Sequence, residues 1–172
     1  MHSANRKLVY AGMLIAVGLA LQYIEHMLGL SGALPGLKPG LANMMTILAL
    51  ELLGIRMALA ITCIRSLLGA LLFAGVSSVM YSVPGALGAC LMMYLLMRSQ
   101  RFGFVGVSVA GAFANNACQT TVSALVLQNA SILSYLWLIG PQSILFGAFT
   151  GLGAYFCCKV LKQHEKTRGV EI

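Results

Sequence analysis

Apolar residues fill the chain in long runs, which short polar or Gly/Pro-rich stretches interrupt at intervals. A membrane-spanning helix needs about 20 such residues to cross a hydrocarbon core of about 30 Å. The pattern therefore predicts an all-α membrane protein, a single integral membrane domain over residues 1–172 with six transmembrane helices. The predicted spans cover about residues 8–28, 41–53, 57–73, 79–97, 104–127 and 132–158.

The second predicted span is short, because it runs only from residue 41 to residue 53. A helix of that length reaches only about 20 Å, so we expect ordered loop residues to continue it. The preceding segment, 31–40, is rich in Gly and Pro and carries Lys38. Irregular backbone at membrane depth persists only where protein or a water-filled cavity covers it. Two interpretations stay open: a lid over an outward-facing pocket, or an ordinary connector.

The composition agrees with a multi-pass protein of the cell membrane. Of the 172 residues, 59% are hydrophobic and 9% are charged, whereas a soluble domain carries roughly 25% charged residues. The sequence has no Asp and no Gly-x4-Gly-Lys-Ser/Thr phosphate loop, so it offers no ATPase site of its own. Its five cysteines form no Cys-x-x-Cys pair, and neither a metal site nor a cofactor is predicted.

The positive charges fall almost entirely on one side of the predicted membrane. With the N-terminus inside, nine basic residues are cytoplasmic and only Lys38 lies outside. This positive-inside signal predicts cytoplasmic termini and an even number of spans. It also explains the net charge of +7 without nucleic acid as a partner. The nine residues are Arg6, Lys7, Arg56, Arg98, Arg101, Lys159, Lys162, Lys166 and Arg168.

Polar side chains on four spans are predicted at similar depths. At a rise of about 1.5 Å per residue, they all fall in the middle to outer half of the membrane. Polar groups there are costly and usually mark a functional site. We therefore predict a substrate-binding cavity that opens to the outside. Its candidate residues are Asn43, Arg65, Asn116, Gln119 and Gln142, with Lys38 above them.

Arg65 is the most informative candidate, because a guanidinium near mid-membrane needs an anion or several carbonyls. Glu51 lies only about 6 Å from the cytoplasmic turn, at a different depth. Arg65 therefore either contacts an anionic ligand or bonds to protein carbonyls and amides. The amides of span 5 present the same choice between binding a ligand and joining helices. Glu25 and His26 are either gate residues or groups solvated at the interface.

Small residues recur at four-residue spacing along span 1, at Gly12, Ala16 and Ala20. Such a ridge lets another helix approach closely. The ridge serves either internal packing or the docking of another membrane subunit.

Residues 21–25, 35–43, 67–73 and 106–112 resemble the Gx transporter family, also labelled heptaprenyl diphosphate synthase component I. The resemblance spans roughly residues 8–155, and its most specific match is the Lys-x-Gly-Leu-Ala-Asn string that ends at Asn43. That family in turn resembles the substrate-binding S components of energy-coupling factor (ECF) transporters. Those are six-helix membrane proteins with both termini inside.

The resemblance implies partners, namely a transmembrane T subunit and a pair of ATPases. In S components a ridge of small residues on the first helix docks the T subunit, and Gly12, Ala16 and Ala20 match it. The loop between the first two helices acts as a lid, a role that 31–40 would take here. The sequence departs from the family at Asn115, where a His is usual, and at Pro39, which stiffens the loop.

These features predict a non-enzymatic S component of an ATP-driven importer for a polar or anionic vitamin- or cofactor-like compound. One alternative is the noncatalytic membrane component of a heptaprenyl diphosphate synthase. Such synthases hold Mg²⁺-diphosphate with Asp-rich motifs, and hard cations need those oxygen ligands, which this chain lacks. A second alternative is a membrane assembly protein with no ligand, against which Arg65 and the amides argue.

Overall fold

The computed structural model describes residues 2–28 and 40–168. Within these ranges the chain is all-helical, as predicted, with 3-10 helices at Val76–Ser78 and Ala130–Tyr135. Helix α1 begins earlier than the predicted first span, and α5 continues through the charged tail. Lys38 and residues 31–39 of the predicted loop lie outside the described residues. The α-helices are α1 (His2–Met27), α2 (Asn43–Phe73), α3 (Val79–Ser99), α4 (Phe104–Val126) and α5 (Leu136–Arg168).

Helix α2 contains both the second and the third predicted span and folds back on itself at Gly54. Gly54 adopts φ 77° and ψ 173°, a conformation that favours glycine because it has no Cβ. The hydroxyl oxygens of Thr46 and Thr62 lie 3.4 Å apart although 16 residues separate them. In a straight helix the same separation would be about 24 Å. We therefore describe α2 as a helical hairpin with a short arm, 43–53, and a long arm, 55–73.

Four stretches of the described chain are long and apolar enough to cross a membrane: Asn5–Met27, Asn43–Phe73, Val76–Ser99 and Ala130–Gln163. Helix α4 has a similar length, but polar residues in its second half make it less apolar. Large apolar side chains point outward, and Trp137 is 89% exposed. Polar side chains such as Arg65 and Asn116 are buried instead. An apolar outer surface over a core that contains buried polar side chains is expected where lipid surrounds a protein.

The helices pack in an order that leaves α1 on the periphery. Among the described helices, α1 packs against α2 alone, whereas α2 also contacts α3, α4 and α5. The closest helix pair is α4 with α5. A Cβ added at Gly147 would lie 2.6 Å from the Cα of Val109, and one at Gly151 would lie 2.7 Å from the Cα of Val105. These glycines let the two backbones meet.

Candidate substrate-binding site

A small polar cavity lies where α1, both arms of α2, α3 and α4 converge. Three predicted site residues, Asn43, Arg65 and Gln119, meet there although they lie on separate helical segments. The cavity has a volume of about 30 Å³, enough for about two water molecules. The polar side chains that line it are those of Gln22, Glu25, Asn43, Arg65, Ser66, Ser82, Asn115 and Gln119.

Arg65 extends from the long arm of α2 into this cavity and is only 4% exposed. Its Nε is buried and has no hydrogen-bond partner among the described residues. The carboxylate of Glu25 attracts the guanidinium electrostatically. Glu51 pairs with Lys162 of α5 instead, which agrees with its different predicted depth. The carboxylate that attracts Arg65 among the described residues is therefore on α1.

Glu25 is a site residue that sequence reasoning did not assign to the cavity. It is 2% exposed, so the interpretation as a group solvated at the interface is wrong. The backbone N–H of Leu41 donates a hydrogen bond to Glu25 Oε1, which ties the end of α1 to the residues just before α2. Ala11, Leu14, Gly18 and Glu25 share the buried side of α1. That helical spacing was the available signal.

Three of the six buried polar side-chain atoms that lack a hydrogen-bond partner in the described residues lie at the cavity; the other three are Ser78 Oγ, Asn116 Oδ1 and Gln142 Oε1. Gln22 Oε1, Asn43 Nδ2 and Arg65 Nε are all buried without a hydrogen-bond partner in the described part of the chain. A buried polar atom in this condition costs about 1–3 kcal/mol, and native proteins retain only a few of them. Three such atoms at one cavity indicate a place where a polar ligand or water supplies the missing bonds.

Glycines on neighbouring helices make room for the polar side chains of the cavity. A Cβ added at Gly18 would lie 2.4 Å from Arg65 Cδ, and one at Gly69 would lie 2.3 Å from Gln22 Oε1. A Cβ at Gly85 of α3 would lie 2.5 Å from Gln119 Cγ. The three side chains therefore rest directly on helix backbone, and larger residues would push them from their present positions.

The amides of α4 divide between two regions. Gln119 Nε2 donates to Asn115 Oδ1 at 3.2 Å, and both residues line the cavity. The structure places Asn116 elsewhere than predicted, because its Nδ2 donates to Ser143 Oγ of α5 at 3.1 Å. Gln142 is half-buried and also lies away from the cavity lining. Asn116 and Gln142 lie away from the cavity because of the way α4 and α5 are rotated about their axes. The position of a residue along a helix does not specify that rotation.

A family model described as heptaprenyl diphosphate synthase component I matches residues 14–157. The chain belongs to the heptaprenyl diphosphate synthase component I family. This confirms the family predicted from the sequence. No curated protein and no solved structure matches the chain, so the predicted likeness to S components has no support from a known fold.

The match to the component I family contains every residue that lines the cavity. It also contains Ala16 and Ala20 of the small-residue ridge, whereas Gly12 lies before it. All three ridge residues are exposed, on a side of α1 that does not face α2. Among the described residues, no group of three His, Cys, Asp or Glu side chains is placed to hold a metal ion.

Proposed function

We propose that this chain is the substrate-binding membrane subunit, or S component, of an ATP-driven importer. Its substrate would be a polar or anionic vitamin- or cofactor-like compound. The observation that supports the proposal best is the group of unsatisfied polar atoms around the cavity, on Gln22, Asn43 and Arg65. A ligand that donates a hydrogen bond to Gln22 Oε1 and accepts hydrogen bonds from Asn43 Nδ2 and Arg65 Nε would satisfy all three atoms.

Arg65 is the group that we expect to select the ligand. A guanidinium binds carboxylate or phosphate through paired, directional hydrogen bonds. Glu25 already balances part of the positive charge, so the ligand need not be strongly anionic. The amides of Asn115 and Gln119 add further donors and acceptors at the same cavity. These groups favour a compound with one anionic or strongly polar group among several hydrogen-bonding groups.

The cavity has to widen before it can hold such a compound. Ligand pockets usually measure about 300–1,000 Å³, whereas this one measures about 30 Å³. Helix α1 is the wall that we expect to move, because it packs against α2 alone. It carries Gln22 and Glu25, so a small shift of α1 would open the cavity and rearrange its polar lining.

We propose a six-pass topology in the cell membrane with both termini in the cytoplasm. The two arms of α2 would account for two passes, and α1, α3, α4 and α5 for the others. From Trp137 to Lys159, α5 has 23 residues, and the two Cα atoms are about 33 Å apart along the helix axis. An interfacial Trp at one end and Lys at the other fit the thickness of a bilayer.

Transport would need energy from partner subunits, because the sequence has no phosphate loop. We propose a transmembrane T subunit and a pair of ATPases. The exposed ridge of Gly12, Ala16 and Ala20 would dock the T subunit. The ligand would enter from outside, the cavity would close on it, and ATP hydrolysis by the partners would reorient the bundle to release it inside.

A second candidate function is favoured by the name of the matched family. In that case the chain would be a noncatalytic membrane component of a heptaprenyl diphosphate synthase. Catalysis by this chain itself is disfavoured because prenyl diphosphate synthases hold Mg²⁺-diphosphate with Asp-rich motifs, whose oxygen ligands suit a hard cation, and the sequence has no Asp. A membrane assembly protein with no ligand is disfavoured by the unsatisfied atoms at the cavity.

Co-purification separates these functions. The chain would be tagged in its native host, extracted in mild detergent, and its partners identified by mass spectrometry. The importer proposal predicts an integral membrane subunit with two ATPases, and their loss in Ala16→Leu. Ala60→Leu, at an exposed position of α2, is the matched control and should keep them. Recovery of a soluble Asp-rich synthase would favour the second candidate function. Substrate uptake into liposomes that contain this chain alone, without nucleotide, would contradict the proposal of an ATP-driven importer.

A further inference from the structure

An apolar slot of about 430 Å³ lies between α1 and α5, apart from the polar cavity. The two helices do not pack against each other, and the short arm of α2 forms the floor between them. Its walls are contributed by α1 from Tyr10 to Val17 and by α5 from Phe156 to Leu161. Nearly all of the surface that lines it is apolar.

The dimensions of the slot fit a hydrocarbon chain better than a helix. Each wall covers about two helical turns, or about 10 Å. A transmembrane helix is about 30 Å long, so walls of about 10 Å would cover only about a third of it. An extended acyl chain is narrower and would bury its methylene groups against the apolar walls.

Basic residues lie beside or just beyond the slot on α1, α2 and α5, at the same end of the molecule. Arg6 lies one turn before Tyr10, Arg56 lies just beyond the Gly54 turn, and Lys159 is adjacent to Val160; all three are exposed. The acid nearby, Glu51, pairs with Lys162. The mouth of the slot is therefore positively charged while its interior is apolar.

We propose that the slot binds one acyl chain of an anionic phospholipid, whose phosphate lies among Arg6, Arg56 and Lys159. Apolar burial holds the chain, and the three cations select the headgroup, as basic pockets between transmembrane helices do on the cytoplasmic side. The lipid supports α1 on the side that has no helix neighbour. The lipid site needs no importer partner. A result that contradicts it would therefore not contradict the function proposed above.

Native mass spectrometry of the full-length chain tests this site. The delipidated protein would be offered equimolar phosphatidylglycerol and phosphatidylcholine with identical acyl chains. We expect one retained phosphatidylglycerol per chain and about fivefold weaker retention in Lys159→Gln, because each cation near a headgroup contributes to binding. Arg98→Gln removes an exposed cation outside the slot and should leave retention unchanged.

A second variant fills the slot directly. Val17→Trp places an indole in it and should abolish retention of either lipid, whereas Leu145→Trp, at an exposed position of α5 outside the slot, should not. Elution as a single species in size-exclusion chromatography checks that Val17→Trp is folded, and Lys159→Gln tests the site without altering its interior. Equal retention of both lipids, or full retention in Val17→Trp, would overturn the proposal. So would displacement of the phospholipid by farnesyl diphosphate at lower concentration.

Discussion

Two polar regions border α4, one on its side facing α5 and the other at the cavity. On the α5 side, Ser108 and Thr150 hydroxyls lie 2.8 Å apart, and Ser143 accepts from Asn116 while donating to the Ile139 carbonyl at 2.8 Å. At the cavity, chemically similar groups remain unsatisfied. In the first region most of these polar groups join helices, although Asn116 Oδ1 has no hydrogen-bond partner among the described residues; at the cavity three atoms lack a partner. Residue type alone does not distinguish these uses.

The largest effect that we expect comes from the charges of the cavity. Glu25→Gln removes a buried carboxylate that attracts buried Arg65 and accepts from the Leu41 N–H. Leaving a buried charge uncompensated costs about 3 kcal/mol of unfolding free energy. Reversible unfolding in detergent would measure it. Glu51→Gln is the matched control, because that acid pairs with a half-exposed lysine and its loss should cost below about 1 kcal/mol. Equal losses would show that Arg65 does not depend on Glu25.

The second largest loss of stability should come from adding volume to the tight α4–α5 interface. In Gly147→Ala the new Cβ would meet the backbone of Val109, so we expect a loss of about 2 kcal/mol in the same unfolding assay. Gly140→Ala lies on the same helix with nothing within 4 Å of the added Cβ. It should be neutral or stabilising by about 0.5 kcal/mol. A tolerated Gly147→Ala would mean that the two helices can separate freely.

A smaller effect compares the two regions directly. Thr150→Val removes a hydroxyl that bonds to Ser108 and should cost about 1 kcal/mol of stability. Asn43→Ala removes an amide whose Nδ2 has no partner and should cost less than half of that. Thermal unfolding of both variants side by side gives the comparison. If Asn43→Ala proved the more damaging, the cavity would be a structural network like the interface.

The smallest loss of stability that we expect comes from breaking the surface ion pair between Lys162 and Glu51. Its side chains are 54% and 25% exposed, so solvent screens their attraction. Lys162→Gln should lower stability by no more than about 0.5 kcal/mol, and the difference from wild type should shrink further in 1 M salt. A salt-independent loss would point to a role for the lysine beyond this pair.

The sequence was sufficient to predict the helical class and the family. Counting residues along each helix predicts Asn43, Arg65 and Gln119 at one level, and the structure brings them to one cavity; their role in binding a substrate remains a prediction. The turn at Gly54 also falls where the residue pattern places it. The six-pass topology and the cytoplasmic termini rest on the charge pattern and remain predictions.

Which side of each helix faces the interior of the bundle was harder to predict from the sequence. In a soluble protein, polar and apolar faces reveal the inward side of a helix, but here both the lipid side and the core are apolar. Glu25 and Gln22 were therefore not assigned to the cavity, and Asn116 and Gln142 were assigned to it although they lie elsewhere. The regular spacing of small and buried residues on α1 was the remaining clue.

The most direct test of the binding site is the small-molecule content of the purified protein. Wild type, Arg65→Gln and Thr150→Val would be purified identically and denatured, and the released compounds would be quantified by mass spectrometry. We predict one polar or anionic compound at close to one molecule per chain in wild type and Thr150→Val, and at least tenfold less in Arg65→Gln. Equal occupancy in all three, or no compound retained or bound from a panel of vitamins and cofactor precursors, would contradict the account.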